Sequence, residues 1–231
     1  MGTPEGGKAR DNLLFFGRMT AAVSHEIKNG LAVMKEQVGL ASDLLAMAER
    51  GAPLDPARLR ELLGRALRRL DQTDEVARDL NRLSHSVDDP RQVFDLSEAA
   101  ELVSRLAARF ARRHGATVSV RAAPVQVQIE SDRFLVLRLL SLLVEGAVEA
   151  LGAAAVTLTV EPTDGAARCL LSAAPPMDPA LRASLLTRVR PLCRLLSAHP
   201  APAENPGGAI VLTFPKIARE AAEAPERPPA P

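Results

Sequence analysis

Two long runs of three- and four-residue apolar spacing, separated by one break, limit the folds open to this 231-residue chain more than any other feature. In the first run Leu13, Phe16, Thr20, Val23, Ile27, Leu31, Met34, Val38, Ala41 and Leu45 mark one stripe of a single long helix. GAPLDP interrupts it: Gly51 can end a helix, Asp55 can cap the next, and Pro56 suits a first helical position. The second run, Leu59, Leu62, Ala66, Leu70, Thr73, Val76 or Ala77, Leu80 and Leu83, lasts until SVDDP. Helices joined by so short a turn form an antiparallel hairpin. One hairpin buries only one stripe per helix, so a second copy is expected to complete a four-helix bundle, making the chain a homodimer.

Beyond Asp89-Pro90 the periodicities change. DLSEAAELVSRLAARFARRHG reads as a helix with Asp95 or Ser97 at its cap and Gly115 as its stop. ATVSVRA and VQVQIE alternate as strands, SDRFLVLRLLSLLVEGAVEAL is a largely buried helix, and AVTLTVEP with DGAARCLLSAA forms a hairpin. DPALRASLLTRVRPLCRLLSAH is helical, with Pro191 as a break or kink, and GAIVLTFP is a final strand. The expected fold class is α+β: a helical hairpin forming a four-helix bundle in a dimer, then an α/β sandwich of a mixed sheet covered by helices. The hairpin takes residues 11–89 and the sandwich 90–216. Residues 1–10 and 217–231 read as disordered tails, because they hold too little apolar surface to order themselves.

Composition narrows the function. With 29 basic and 28 acidic residues the net charge is +1, so no overall field recruits nucleic acid or an anionic membrane. The chain has no Trp or Tyr, which removes platforms for stacking bases. The longest apolar tract, Leu139 to Val160, is interrupted by Glu145, Gly146, Glu149 and Gly152, and is read as buried helix then strand, not a membrane span. Cys169 and Cys193 lack metal-ligand spacing and no leader pattern opens the chain, so a reduced, cytoplasmic protein is expected. Both cysteines read as small core residues, and His85, His114 and His199 as surface or turn residues.

The chemistry concentrates in SHEIKNG, residues 24–30. A zinc site of the HExxH kind is excluded, because the residue four after His25 is Asn29 and supplies no second imidazole. Phosphoryl transfer fits better. A neutral imidazole can attack through one ring nitrogen while a carboxylate, here Glu26, holds the proton on the other. Asn29, one helical turn along, could orient a water for attack on a phosphorylated partner. By spacing alone, a solvated stripe on an amphipathic helix accounts for the same residues. The arginine run Arg65, Arg68, Arg69 likewise reads as a solvated face.

GRMTAAVSHEIKNGLAVM, residues 17–34, resembles the phosphoacceptor box of bacterial two-component histidine kinases, matching it at His25, Glu26, Ile27, Lys28, Asn29 and Leu31; Gly30 stands where proline is usual. The resemblance extends from about Asn12 to Pro215 and implies a dimerisation and histidine-phosphotransfer domain. On that basis His25 would carry phosphate as a phosphoramidate, Glu26 would be the base for kinase action, and Asn29 would serve in dephosphorylating a partner. FDLSEAAELVSRL and ESDRFLVLRLLSLLVEGAVEAL resemble helices of the family's ATP-binding domain, of Bergerat fold. There the nucleotide parts are missing. Gly146 occupies the place of the magnesium-binding asparagine and Leu142 that of a preceding asparagine, while SAAPPMDP replaces the Asp-x-Gly-x-Gly box and leads into the next helix without a glycine-rich lid. Asp178 comes too late to read adenine, and Gly207-Gly208 read as a turn.

A degenerate ATPase-like domain is therefore expected, with no cofactor in this chain, no ATP use, and magnesium supplied by a receiver partner. The resulting expectation is a histidine phosphotransferase of a phosphorelay. His25 would exchange phosphate with aspartates of response-regulator receiver domains, and the protein could also act as a receiver phosphatase. The alternatives are a divergent sensor histidine kinase that uses ATP, and a non-enzymatic dimeric scaffold or antikinase.

Overall fold

The computed structural model describes residues 4–201 and 208–215. They fall into two compact units, Met1–Asp88 and Asp89–Pro231. The fold is α+β, a helical hairpin in the first unit and helices on a mixed sheet in the second. The expected tail at 217–231 and Gly207 of the expected turn lie outside the described residues.

The first unit is an antiparallel pair, α1 (Pro4–Glu49) and α2 (Pro56–His85). Helix α1 begins earlier than composition suggests: residues 4–10 are helical rather than part of a tail. Adding a turn to an already nucleated helix costs far less than starting one. The break is made as its residues foretell. Gly51 has φ +93°, a left-handed conformation costly for other residues. The Asp55 carboxylate accepts from the backbone N–H groups of Ala57 and Arg58 at 2.9 and 3.1 Å, ahead of Pro56.

The seam of the hairpin differs by about one residue from the apolar run. Phe15, Met19, Val23, Gly30 and Ala41 of α1 are buried against Leu62, Ala66 and Leu83 of α2. Leu31, Val38 and Leu45, expected in that seam, are 54, 51 and 45% exposed, as is Leu70 on α2 at 50%. The physical reason is helix pitch. Residues seven apart share a face, so these three form a second stripe roughly 80° round from the seam. Leu63, Leu67 and Leu70 make the matching stripe on α2. Because the helices run antiparallel, the same rotation from the seam places both stripes on one side of the hairpin.

The second unit opens with β1 (Gln92–Asp95), followed by α3 (Leu96–Arg113), β2 (Thr117–Arg121), β3 (Gln128–Ser131), α4 (Arg133–Leu151), β4 (Ala155–Thr163), β5 (Ala166–Ala174), α5 (Pro179–Leu195), β6 (His199–Ala201) and β7 (Ile210–Pro215). Five strands form the main sheet in the order β2-β4-β5-β7-β6, with β2 parallel to β4 and the remaining pairs antiparallel. β1 and β3 pair separately, Gln92 opposite Ser131 and Asp95 opposite Gln128. VQVQIE thus leaves the main sheet for a ribbon whose other strand, QVFD, is too short for its alternation to show in sequence. Its final residue, Asp95, already caps α3 by accepting from the Ser97 N–H, so Ser97 is not the cap.

The core lies between sheet and helices. Val156, Leu158, Val160, Cys169, Leu171, Leu212 and Phe214 face it from the strands, and α4 is buried along most of its circumference. Two expectations need correcting. Helix α5 runs unbroken through Pro191, anchored on both sides by buried Leu185, Val189, Leu192 and Cys193. His199 is in β6 rather than a turn; three residues containing Pro200 form an edge strand, the place where a sheet tolerates proline.

Candidate functional site

On α1 the SHEIKNG residues divide by depth. His25 and Asn29 are exposed, Glu26 and Ile27 are partly buried, and Gly30 is buried. His25 and Asn29 are four residues apart and share a face, while Leu31, the member of the apolar stripe nearest to it, lies about 120° round the helix from His25. The imidazole therefore stands clear of the Leu31, Val38 and Leu45 stripe, while Val33, Leu40 and Met47, 40, 43 and 55% exposed, form a further apolar row on α1. The structure places the three site residues within one helical turn, with Glu26 turned toward α2.

At Gly30 the two helices approach closely. A Cβ at this position would collide with Thr73 Oγ1 and lie 3.2 Å from both Thr73 Cβ and Cγ2. Thr73 is held there because its hydroxyl donates to the Arg69 carbonyl oxygen at 2.7 Å. One turn before Gly30 on α1 stands Glu26, and one turn before Thr73 on α2 stands Arg69. Arg69 Nη2 lies 3.3 Å from Glu26 Oε1, with the two side chains 24 and 21% exposed. Its Nη1 donates to Gln72 Oε1 at 3.2 Å, and its Nε is buried without a hydrogen-bond partner.

Arg69 is thus a residue that sequence reasoning misplaced. It belongs to a groove beside the histidine, not to a solvated face. The usable signal was the pairing of a glycine on one helix with a small residue on the other, which sets the register and leaves Glu26 opposite an arginine. The rest of the run behaves as expected. Arg58 and Arg65 are about half exposed and pair with Glu61, and the Arg58 hydrogen bond first, then the Arg65 charge, holds that carboxyl below the usual range.

In the second unit the position aligned with the missing asparagine is occupied by packing. A Cβ at Gly146 would meet Leu185 Cδ2 of α5, and at 3.0 Å Arg188 Nη1. Leu185 is 2% exposed. Asp178 serves as the α5 cap, accepting from the Leu181 N–H at 2.7 Å. Arg182 Nη1 donates to the Met177 carbonyl at 2.9 Å and closes over Gly208, where φ is +68°. A triphosphate with its metal needs carboxamide or carboxylate ligands and open backbone N–H groups at these places. Apolar and guanidinium groups fill the space at Gly146 and over Gly208. Among the described residues no group of three or more His, Cys, Asp or Glu side chains is placed to hold a metal ion, and no helix is long and apolar enough to cross a membrane.

No protein-family model and no curated protein matches the chain. Solved structures of histidine kinases are similar to it. The catalytic domain of histidine kinase ThkA is 19% identical, with a TM-score of 0.46, over 55% of this chain and 95% of that one. Histidine kinase AdeS of Acinetobacter baumannii is 13% identical at 0.46, over 84 and 98%. ThkA in complex with the response regulator TrrA is 19% identical at 0.44, over 92 and 65%. Likeness at this level carries no argument about activity.

Proposed function

We propose that the protein is a histidine phosphotransferase, in which His25 exchanges a phosphoryl group with the aspartate of a response-regulator receiver domain without using ATP. The observation that carries this reading is the exposed pair His25 and Asn29 on one face of a hairpin, next to a half-buried Glu26. A nucleophile that must meet the active site of another protein has to be exposed, and here it is. The step is balanced within the two proteins: the P–O bond of the aspartyl phosphate breaks, the carboxylate leaves with the electron pair, and an N–P bond forms at one ring nitrogen of His25 while the other keeps its proton. The receiver supplies the magnesium. Leu185 against Gly146 supports a second unit that takes no part in nucleotide chemistry.

The apolar stripes of α1 and α2 support a homodimer joined through that side of the hairpin as a four-helix bundle. His25, on another face, stays open in such a dimer. Asn29 motivates an accompanying phosphatase activity toward the receiver, by orienting water.

The test incubates the protein with labelled ATP alone, then with phosphorylated receiver, and follows acid-labile label in wild type and His25→Ala. Label that comes from the receiver and disappears in His25→Ala supports the proposal. Label from ATP alone refutes it in favour of a divergent histidine kinase, and no label from either donor refutes it in favour of a scaffold.

A further inference from the structure

The groove beside His25 pairs two residues one turn apart on α1, Glu26 and Gly30, with two residues one turn apart on α2, Arg69 and Thr73. Gly30 admits the Thr73 side chain, which any larger residue would push away. This close approach brings the Arg69 guanidinium within 3.3 Å of the Glu26 carboxylate, in a site where both side chains are about three-quarters covered. Phosphorylating His25 puts a dianionic phosphoryl group next to Glu26. An unpaired carboxylate on the neighbouring residue would oppose the incoming charge. Arg69 offsets this.

We infer that Arg69 is a positioning residue for His25 chemistry, acting through Glu26: it holds and neutralises the carboxylate, so that His25 accepts a dianionic phosphoryl group more readily. The inference deepens the phosphotransfer reading and rests on it for the natural donor. Its chemistry also holds for a small anionic donor. With phosphoramidate the P–N bond of the donor breaks, ammonia leaves, and the same N–P bond forms on His25.

The experiment compares wild type, Arg69→Gln, Arg69→Lys, Glu26→Gln and the Arg69→Gln/Glu26→Gln double variant, all full length, with helicity checked by circular dichroism. Phosphohistidine is measured after a fixed exposure to potassium phosphoramidate, and separately at equilibrium with phosphorylated receiver. Arg69→Gln should lower phosphohistidine about three- to tenfold, the scale of one charge acting on another at a partly exposed site. The Arg69→Gln effect should depend on Glu26: adding Arg69→Gln to Glu26→Gln should change loading by no more than about twofold relative to Glu26→Gln alone, and Arg69→Lys should stay close to wild type. Lost packing alone would not be repaired by removing Glu26. Equal loading in Arg69→Gln and wild type, or an Arg69→Gln loss as large in the Glu26→Gln background as in wild type, overturns the inference. If the phosphoramidate pattern holds while no receiver transfers phosphate, the inference stands and the receiver reading falls; if the phosphoramidate series is flat while receiver transfer is active, the receiver reading stands and the inference falls.

Discussion

Replacing Gly30 by alanine tests the geometry on which the site depends, because elementary helix chemistry and the observed packing predict opposite signs. In the interior of a helix, glycine to alanine ordinarily stabilises by about 1 kcal/mol, through the backbone entropy that alanine does not lose. At Gly30 the new methyl would meet Thr73 Oγ1, whose hydroxyl is tied to the Arg69 carbonyl, and would press on Thr73 Cβ and Cγ2 at 3.2 Å. Inserting a methyl into a filled interior costs roughly 1 to 3 kcal/mol, so the net change expected for Gly30→Ala is a loss of about 0 to 2 kcal/mol. Gly39, with nothing within 4 Å of its Cβ position, supplies the control; Gly39→Ala should stabilise by about 1 kcal/mol. In a Thr73→Ala background the hydroxyl and Cγ2 are gone, and only a Cβ contact a few tenths of an ångström too close remains. Gly30→Ala should then be neutral or stabilising. Urea titrations followed by circular dichroism, at one fixed protein concentration because a dimer's stability depends on it, measure all five proteins. A gain of about 1 kcal/mol from Gly30→Ala in the wild-type background would refute the close approach, and with it the register that sets Arg69 against Glu26.

Other expectations follow from the same structure. Leu185→Ala removes a buried side chain seated on Gly146 and should cost about 2 to 5 kcal/mol of stability, measured by denaturant titration, without creating nucleotide binding by calorimetry. Asp55→Ala deletes the acceptor of two N–H groups and should cost about 1 kcal/mol, with Asp55→Asn largely neutral. Burial pushes the Cys169 thiol up to about 12, so its thiolate is scarce in the folded protein at any pH below that; iodoacetamide at pH 8 should leave Cys169 unmodified until urea is added, as read by peptide mass. Asn29→Ala should slow receiver dephosphorylation while leaving phosphate transfer to His25 within a few-fold of wild type, as followed by label lost from the receiver.

Most of the element order was legible in the chain because it rests on local physics. The periodicity of Leu59 to Leu83, the cap at Asp55, the stop at Gly115 with φ +70° and the alternation of β4 and β5 are each decided within a few residues. The strands that escaped, β1 and β6, are four and three residues long, below the length at which alternation can be told from chance. Pro191 suggested a break that does not occur, for a related reason. Its local cost is real, but four buried neighbours on α5 outweigh it, and their burial is a tertiary fact.

For the site the division is sharper. His25, Glu26 and Asn29 stand in one motif, and the sequence by itself determined that they share a helical turn, since i and i+4 positions meet on any α-helix. It determined equally that Gly146 brings no metal ligand, because glycine has no side chain to offer. Which of two apolar stripes closes the hairpin, that Leu185 fills the space over Gly146, and that Arg69 lies in the groove with Glu26 were decided only by tertiary structure. Contacts between residues 26 and 69, or between 146 and 185, depend on how far two helices approach and at what register. That is set by the summed packing of both, and no short stretch of the chain encodes it.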